Sequence, residues 1–305
     1  MSHSVYSESS QLDIIPSQLL LRPPEVGILM VQPDKYDVVY VINPHMEGMV
    51  GTVDREKAKQ QWQKLLEVYR SIGYPVVTIP SAVEFPDMVF CANQSFPFLD
   101  ENGTPTVIIS RMASHYRQGE ELFFDQWYQE QGYRIIRQVE PPVEFEGMGD
   151  VIWHPSRRLI YAGYGYRTHK SALQRLANCV QHPVIGLELI DPSFYHLDTA
   201  LSPLDEHTAL YVEEAFTKEG VALLKKCFPQ LIRVPLEEAA QGFVTNGHCP
   251  DQKHFIVHKG NHVTKKNLEE RGFTVIEVDT SEFMKSGGSV FCMKMMLPMM
   301  KSSPK

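Results

Sequence analysis

Cys292 ends the run Lys285-Ser286-Gly287-Gly288-Ser289-Val290-Phe291. Two glycines ahead of a short apolar stretch let the backbone turn tightly and leave amide groups free to face a ligand. A thiol in such a place can ionise and attack an electrophilic carbon. The competing reading is a small buried hydrophobe, the usual fate of a free cysteine. His196 stands in Tyr195-His196-Leu197-Asp198-Thr199. Read as a strand, this segment puts His196 and Asp198 on one side. Histidine moves protons near neutral pH, and a nearby carboxylate can orient it or hold a cation. The alternatives are a core histidine or a metal ligand. No third ligand stands at a supporting spacing, so no metal is expected.

Glu146-Gly147-Met148-Gly149-Asp150 sets two carboxylates around a flexible turn that enters a strand. They can grip a cation, unless the turn is merely solvated. The segment lacks the third glycine and the following helix of a nucleotide loop. Gly163-Tyr164-Gly165-Tyr166-Arg167 fails the same test and reads as a turn presenting Arg167. Asp87 and Asn93 bracket a short apolar run, and Asn93 can equally cap a turn. Arg111 closes Val107–Ser110, either as a surface charge or as an anchor for a carboxylate. Cys91 lies beside these residues and can support them from behind. Cys292-Met293-Lys294-Met295-Met296 reads as core filling.

These groups must be positioned by a chain of 305 residues, 43% hydrophobic and 22% charged. That is enough for one large core or two modest ones. Lys and Arg number 29 and Asp and Glu 37, a net charge of -8. The acidic balance argues against nucleic acid or an anionic membrane as partner and is compatible with a small cationic substrate. Five cysteines, an odd and widely spaced set without a CxxC, argue against a disulfide framework and for a reducing, cytoplasmic compartment. The polar N-terminus lacks a basic n-region, and no stretch is apolar for long enough to span a bilayer.

One pattern recurs: one or two β-branched runs, an amphipathic helix, then another strand. The first unit has Val38–Ile42, a helix over 54–71 and Val76–Ile79. The second has Met88–Cys91, Thr106–Ile109, a helix over 119–131 and Tyr133–Val139. The third has Val151–His154, Leu159–Gly163, a helix over 168–180 and Val184–Ile190. The fourth has Thr199–Ser202, Thr208–Val212, a helix over 217–227 and Leu231–Val234. The fifth has Phe243–Asn246, His254–His258, a helix over 264–271 and Phe273–Val278. Gly73, Gly132, Pro183, Pro229 and Gly272 punctuate the helix ends. Five ββαβ-like units of roughly 45 to 60 residues suggest a closed α/β ring with strand ends around a central site. An open α/β sheet is the alternative. No linker divides the chain, so the expected organisation is an N-terminal extension over 1–24, one domain over 25–300 and a polar tail over 301–305.

In their order and types, these residues resemble the guanidine-modifying enzymes, the amidinotransferase and arginine deiminase superfamily, across Val31 to Leu297. Glu146-Gly-Met-Gly-Asp150 is similar to that family's Glu-Gly-Gly-Asp with one residue added. His196-Leu-Asp198-Thr199 resembles its His-x-Asp-Thr, and Gly163 to Thr168 its Gly-x-Gly-x-Arg-Thr. Gly287-Gly288-Ser289 leading to Cys292 resembles its nucleophile motif, and Pro86-Asp87-Met-Val-Phe its first substrate-binding strand. The family folds as a five-bladed α/β propeller, the pentein fold, with pseudo-fivefold ββαβ repeats. The resemblance implies Cys292 as nucleophile and His196 as general acid and base. It implies Glu146 and Asp198 holding the guanidinium, and Arg111 and Arg167 as candidates for the substrate's α-carboxylate. Asn43, Asp87, Asp150 and Ser286 are implied to line the same pocket. No metal or organic cofactor is implied, and a homo-oligomer is left open.

Asn93 stands where deiminases and dimethylarginine hydrolases usually carry aspartate, and resembles bacterial arginine dihydrolases, which form ornithine, carbon dioxide and two ammonia. An aspartate only accepts hydrogen bonds, whereas an asparagine amide can also donate to the carbonyl of citrulline. A carboxylate facing that carbonyl would be an unpaired buried charge. The expected activity is cysteine-dependent dihydrolysis of arginine. Single hydrolysis to citrulline, amidino transfer and a non-catalytic binding module are the alternatives.

Overall fold

The computed structural model describes residues 4–137 and 142–300. Five sheets repeat one arrangement, in which a central strand pairs in parallel across a helix with an outer strand. In the first, Gly27–Val31 pairs with Val76–Ile79 across the helix Arg55–Ser71. Asp54 caps that helix by accepting from the Lys57 amide at 3.0 Å, and Trp62, Leu65, Leu66 and Tyr69 bury one face at helical spacing. The second sheet joins Ser95–Leu99, Pro105–Ile109 and Arg134–Ile136 around the helix Glu120–Gln131. Gly132 ends the helix at φ 83°, a left-handed conformation that favours glycine.

The third sheet joins Val151–Trp153, Ile160–Tyr164 and Val184–Glu188 around Ala172–Val180. Val5–Tyr6, from the segment set aside as an extension, adds a parallel strand at its edge. The fourth joins Leu201–Pro203, Thr208–Tyr211 and Gln230–Arg233 around Lys218–Cys227. The fifth holds His254–His258 and Thr274–Val278 around His262–Glu270, with a bridge from His248 to Ile256 on its inner side. The chain end returns to the first sheet, where Met295–Leu297 runs antiparallel to Gly27–Val31. A single apolar cluster runs from Tyr6 to Leu297 through all five sheets.

Several expected strands fall elsewhere. Val38–Ile42 is irregular, with alternating exposed and buried side chains, and the first sheet uses Gly27–Val31 instead. Met88–Cys91 overlaps the 3-10 turn Pro86–Val89, and the strand starts at Ser95. Phe243–Asn246 is occupied by the 3-10 turn Val244–Asn246, and Thr199 and Ala200 by the helical turn Leu197–Ala200. The last three of these runs are apolar because they are buried, not because they are extended. Each lies close ahead of an inner strand or bridge. Gly147–Asp150 and the turn over 290–293 occupy the same place in their units. The chemistry-bearing residues concentrate on these turns. Val139 and the polar tail lie outside the described residues.

Candidate active site

The turn over 290–293 lifts Cys292 to the floor of a narrow pocket. Its sulfur lies 3.1 Å from Asp198 Oδ2 and 3.1 Å from Asn246 Nδ2. Asn246 Oδ1 accepts the Ser289 amide at 2.9 Å and the Cys292 amide at 3.4 Å, and its Nδ2 also donates to the Asp198 carbonyl at 3.0 Å. One amide therefore ties together the glycine loop, Cys292 and the turn that carries Asp198. Burial, then the Asp198 carboxylate, pushes the Cys292 thiol well above its ordinary value. Burial also lifts Asp198 to about 7, against the Cys292 hydrogen bond and the charge of Lys294. The resting pair is a thiol donating to a carboxylate.

His196 caps the turn Leu197–Ala200, so it and Asp198 are not on one side of a strand. Two residues apart on a single helical turn, they point to different partners. His196 Nε2 meets Glu146 Oε2 at 2.7 Å, and Nδ1 has no partner among the described residues. Glu146 Oε1 accepts the Ala113 amide at 2.9 Å, and Oε2 also faces Arg167 Nη1 at 3.4 Å. Burial works to raise this carboxyl, but Arg167 and then His196 outweigh it and bring it to about 2. Glu146 is an engaged carboxylate. Both of its oxygens are engaged, Oε1 by the Ala113 amide and Oε2 by His196 and Arg167.

Asn43, Asp87, Asn93, Arg167, His196, Ser286 and Cys292 line this one pocket. Asp87 Oδ2 accepts from Tyr40 at 2.9 Å while Oδ1 is unpartnered among the described residues. Asn43 donates to the Ser286 carbonyl at 3.0 Å, and Arg167 lies over the Tyr195 ring at 4.7 Å. Four expected members do not line it: Glu146 and Asp198, which touch the lining residues His196 and Cys292, and Arg111 and Asp150. Arg111 is exposed, its backbone bridged to Phe145 beyond the end of the strand Pro105–Ile109. Asp150 is buried behind the pocket, where its Oδ1 accepts the Leu197 amide at 3.0 Å.

Arg117 and Asn246 were not singled out by sequence. Arg117 lines the pocket, 4% exposed, and pairs with the fully buried Glu120 at 2.8 Å. Its Nη1 donates to Asn93 Oδ1 at 2.9 Å, which turns the Asn93 amide nitrogen the other way. That nitrogen has no acceptor among the described residues. Gly149 makes room for it: a Cβ there would lie 2.2 Å from Asn93 Nδ2. The only sequence signal for Arg117 is its i,i+3 spacing to Glu120, and Thr245-Asn246-Gly247 carries none. Among the described residues, no group of three or more His, Cys, Asp or Glu side chains is arranged to hold a metal ion.

This arrangement has relatives. The family model for eukaryotic N,N dimethylarginine dimethylhydrolase matches residues 45–299. The bifunctional arginine dihydrolase/ornithine cyclodeaminase ArgZ of Synechocystis is 36% identical over 270 residues, 88% of this chain and 37% of ArgZ, so this chain spans little more than a third of that relative. An N(G),N(G)-dimethylarginine dimethylaminohydrolase of Mycobacterium tuberculosis is 35% identical over 86% of this chain and 83% of its own length. The crystal structure of the N-terminal domain of ArgZ, a cysteine-to-serine variant bound to substrate, superposes with a TM-score of 0.83 at 34% identity, covering 90% of this chain and 98% of that one. The pocket built around Cys292, His196 and Glu146 thus sits in a chain that belongs to the dimethylarginine dimethylhydrolase family of guanidine-modifying hydrolases.

Proposed function

We propose that the chain hydrolyses the guanidinium group of L-arginine twice, giving ornithine, carbon dioxide and two ammonia. The observation that carries this reading is the Asn93 amide. Arg117 takes its oxygen and leaves Nδ2 as an unpartnered donor at the pocket. A guanidinium has only donors, so this nitrogen gains nothing from arginine, but it matches the carbonyl of citrulline. The likeness to an arginine dihydrolase domain supports the same reading.

In the first round, the guanidinium cation enters beside Asp198 and draws the Cys292 proton onto that carboxylate. The thiolate attacks the guanidinium carbon. His196, oriented by Glu146, protonates the leaving ammonia and then takes a proton from the water that cleaves the thiouronium adduct. Citrulline results. In the second round its carbonyl accepts from Asn93 Nδ2, Cys292 attacks the ureido carbon and a second ammonia leaves. Water then frees a carbamate that falls to ornithine and carbon dioxide. Asp87 Oδ1 and Arg167 stand where an α-amino group and an α-carboxylate find opposite charges.

We read the five sheets as blades of one closed pentein ring over residues 25–300. The pairing of Met295–Leu297 with Gly27–Val31 and the single apolar cluster support that reading. Five unpaired cysteines support a reducing, cytoplasmic setting. The test is product analysis after incubation with L-arginine. Ornithine with two ammonia per arginine is expected, and the Asn93→Asp variant should stop at citrulline. A second reading is favoured by the family match, namely single hydrolysis of a methylarginine. Release of dimethylamine from asymmetric dimethylarginine, with arginine untouched, would establish it instead.

A further inference from the structure

Lys294 plays no part in the chemistry above, yet its placement is unusual for a lysine. It is fully buried and its ammonium has no hydrogen-bond partner among the described residues. Lysine is almost never so enclosed unless paired. The Nζ lies 3.1 Å from the centroid of the Phe291 ring, whose face offers a cation partial compensation.

The chain over 291–294 separates two cavities that share no lining residue. Cys292 faces the substrate pocket. Phe291 and Lys294 face a second cavity of about 60 Å³, with Arg22, Glu25, His248 and Cys249 on its walls. Arg22 is already paired with Glu25. Asp198 is the largest charged influence on Lys294, followed by Glu25, Cys91 and Cys292. Lys294 in turn favours the ionised forms of Asp198 and Cys91 and opposes a proton on His248. Asp198 takes part in no ion pair and keeps Oδ1 unpartnered among the described residues, while Oδ2 accepts from Cys292. Lys294 is the largest cationic influence on it.

We infer that Lys294 is a positioning residue acting through Asp198: from the far side of the 291–294 turn, its charge maintains the carboxylate that receives the Cys292 proton. This rests on the reading of Cys292 and Asp198 given above. Burial lowers Lys294 to about 7 while Asp198 pulls the other way, so amine and carboxyl titrate as a pair. A substrate cation arriving on the pocket side adds a second partner for the same carboxylate. Asp198 is then shared between the Lys294 ammonium, built into the fold, and a cation supplied by each turnover.

The test compares wild type, Lys294→Met and Lys294→Arg. The first readout is the pH dependence of Cys292 alkylation by 2-chloroacetamidine, followed by intact mass. Methionine removes the charge and keeps the apolar stem. The acidic limb should then move up by about one pH unit, which at pH 7 is about tenfold slower labelling. Arginine should restore the wild-type limb. A limb unmoved in Lys294→Met overturns the inference, as does slower labelling that is uniform across pH, the mark of a merely structural role. Lys294→Gln repeats the measurement should the methionine variant not fold. Arginine turnover is the second readout. Its absence in wild type with a shifted limb sinks the proposed activity and leaves Lys294 its role. Turnover with no shift does the reverse, and failure of the probe to modify wild-type Cys292 at any pH overturns both.

Discussion

The Cys292 sulfur stands 3.1 Å from Asp198 Oδ2, and both groups are buried. Burial and the carboxylate together hold the sulfur as a thiol in the free protein. A cation entering the pocket shifts that balance furthest, because it stabilises the negative charge that proton transfer leaves on sulfur. A neutral alkylating agent should therefore label Cys292 slowly between pH 6 and 8, and a cationic amidine faster by about 100-fold or more. Rapid labelling by iodoacetamide across that range would show a preformed thiolate and remove this account.

Arg117 spends its donors on Glu120, on Asn93 and on the carbonyls of Asp87 and Phe90. It is a clamp for the Asn93 amide. Lysine keeps the charge but not the fork that reaches several partners at once. In Arg117→Lys the amide is free to turn, so the second hydrolysis should suffer more than the first. The expected outcome is citrulline accumulating during arginine turnover, with kcat on citrulline lower by about tenfold or more. An unchanged ratio of citrulline to ornithine would show that Asn93 needs no such clamp. Replacing Arg117 by methionine is a poorer test, because it strands Glu120 as an unpaired buried charge.

Glu146 carries a prediction for stability. Its carboxyl falls from 4.5 to about 2 in the folded protein. A lowered acid contributes stability above its unfolded value and loses it as pH falls through the folded one. The contribution, on the order of 3 kcal/mol, should be present at pH 6 and disappear between pH 4.5 and 2. Chemical denaturation across that range should show a steeper fall for wild type than for Glu146→Gln. Parallel curves would mean that Glu146 keeps its proton in the fold.

The helices were legible in the sequence for a simple reason. Arg55–Ser71 and Lys218–Cys227 bury one face, and their patterns follow from that. The turns ahead of the inner strands were not legible. Met88, Val89 and Val244 are enclosed on all sides, so their segments lose the period that would distinguish a turn from a strand. That Cys292, His196 and Asn93 share one pocket was legible because motif order does not depend on secondary structure. Arg117 and Asn246 act through partners far along the chain, at Asn93, Asp198 and Cys292, and no local spacing encodes such contacts. Arg111 stood at the end of a strand, as an anchor should, yet it is exposed, its backbone paired with Phe145.

Gly147 and Gly149 lie two residues apart and answer to different constraints. Gly147 has φ 46°, and a Cβ there would meet the Ser95 carbonyl oxygen at 2.3 Å. That contact is with backbone, which cannot swing aside. Gly149 has no left-handed requirement, and its Cβ would meet the Asn93 amide nitrogen at 2.2 Å and His196 Cδ2 at 3.5 Å. Alanine at 149 can be accommodated by displacing Asn93, at the expense of the site. Gly149→Ala should lower kcat/KM for citrulline by about 100-fold, the scale of a small misplacement of a reacting group. Its melting temperature should stay within about 4 °C of wild type. Gly147→Ala should lose stability first, and activity with it. A Gly149→Ala protein that turns over citrulline normally would show that Asn93 does not hold its amide nitrogen in the position on which the second hydrolysis depends.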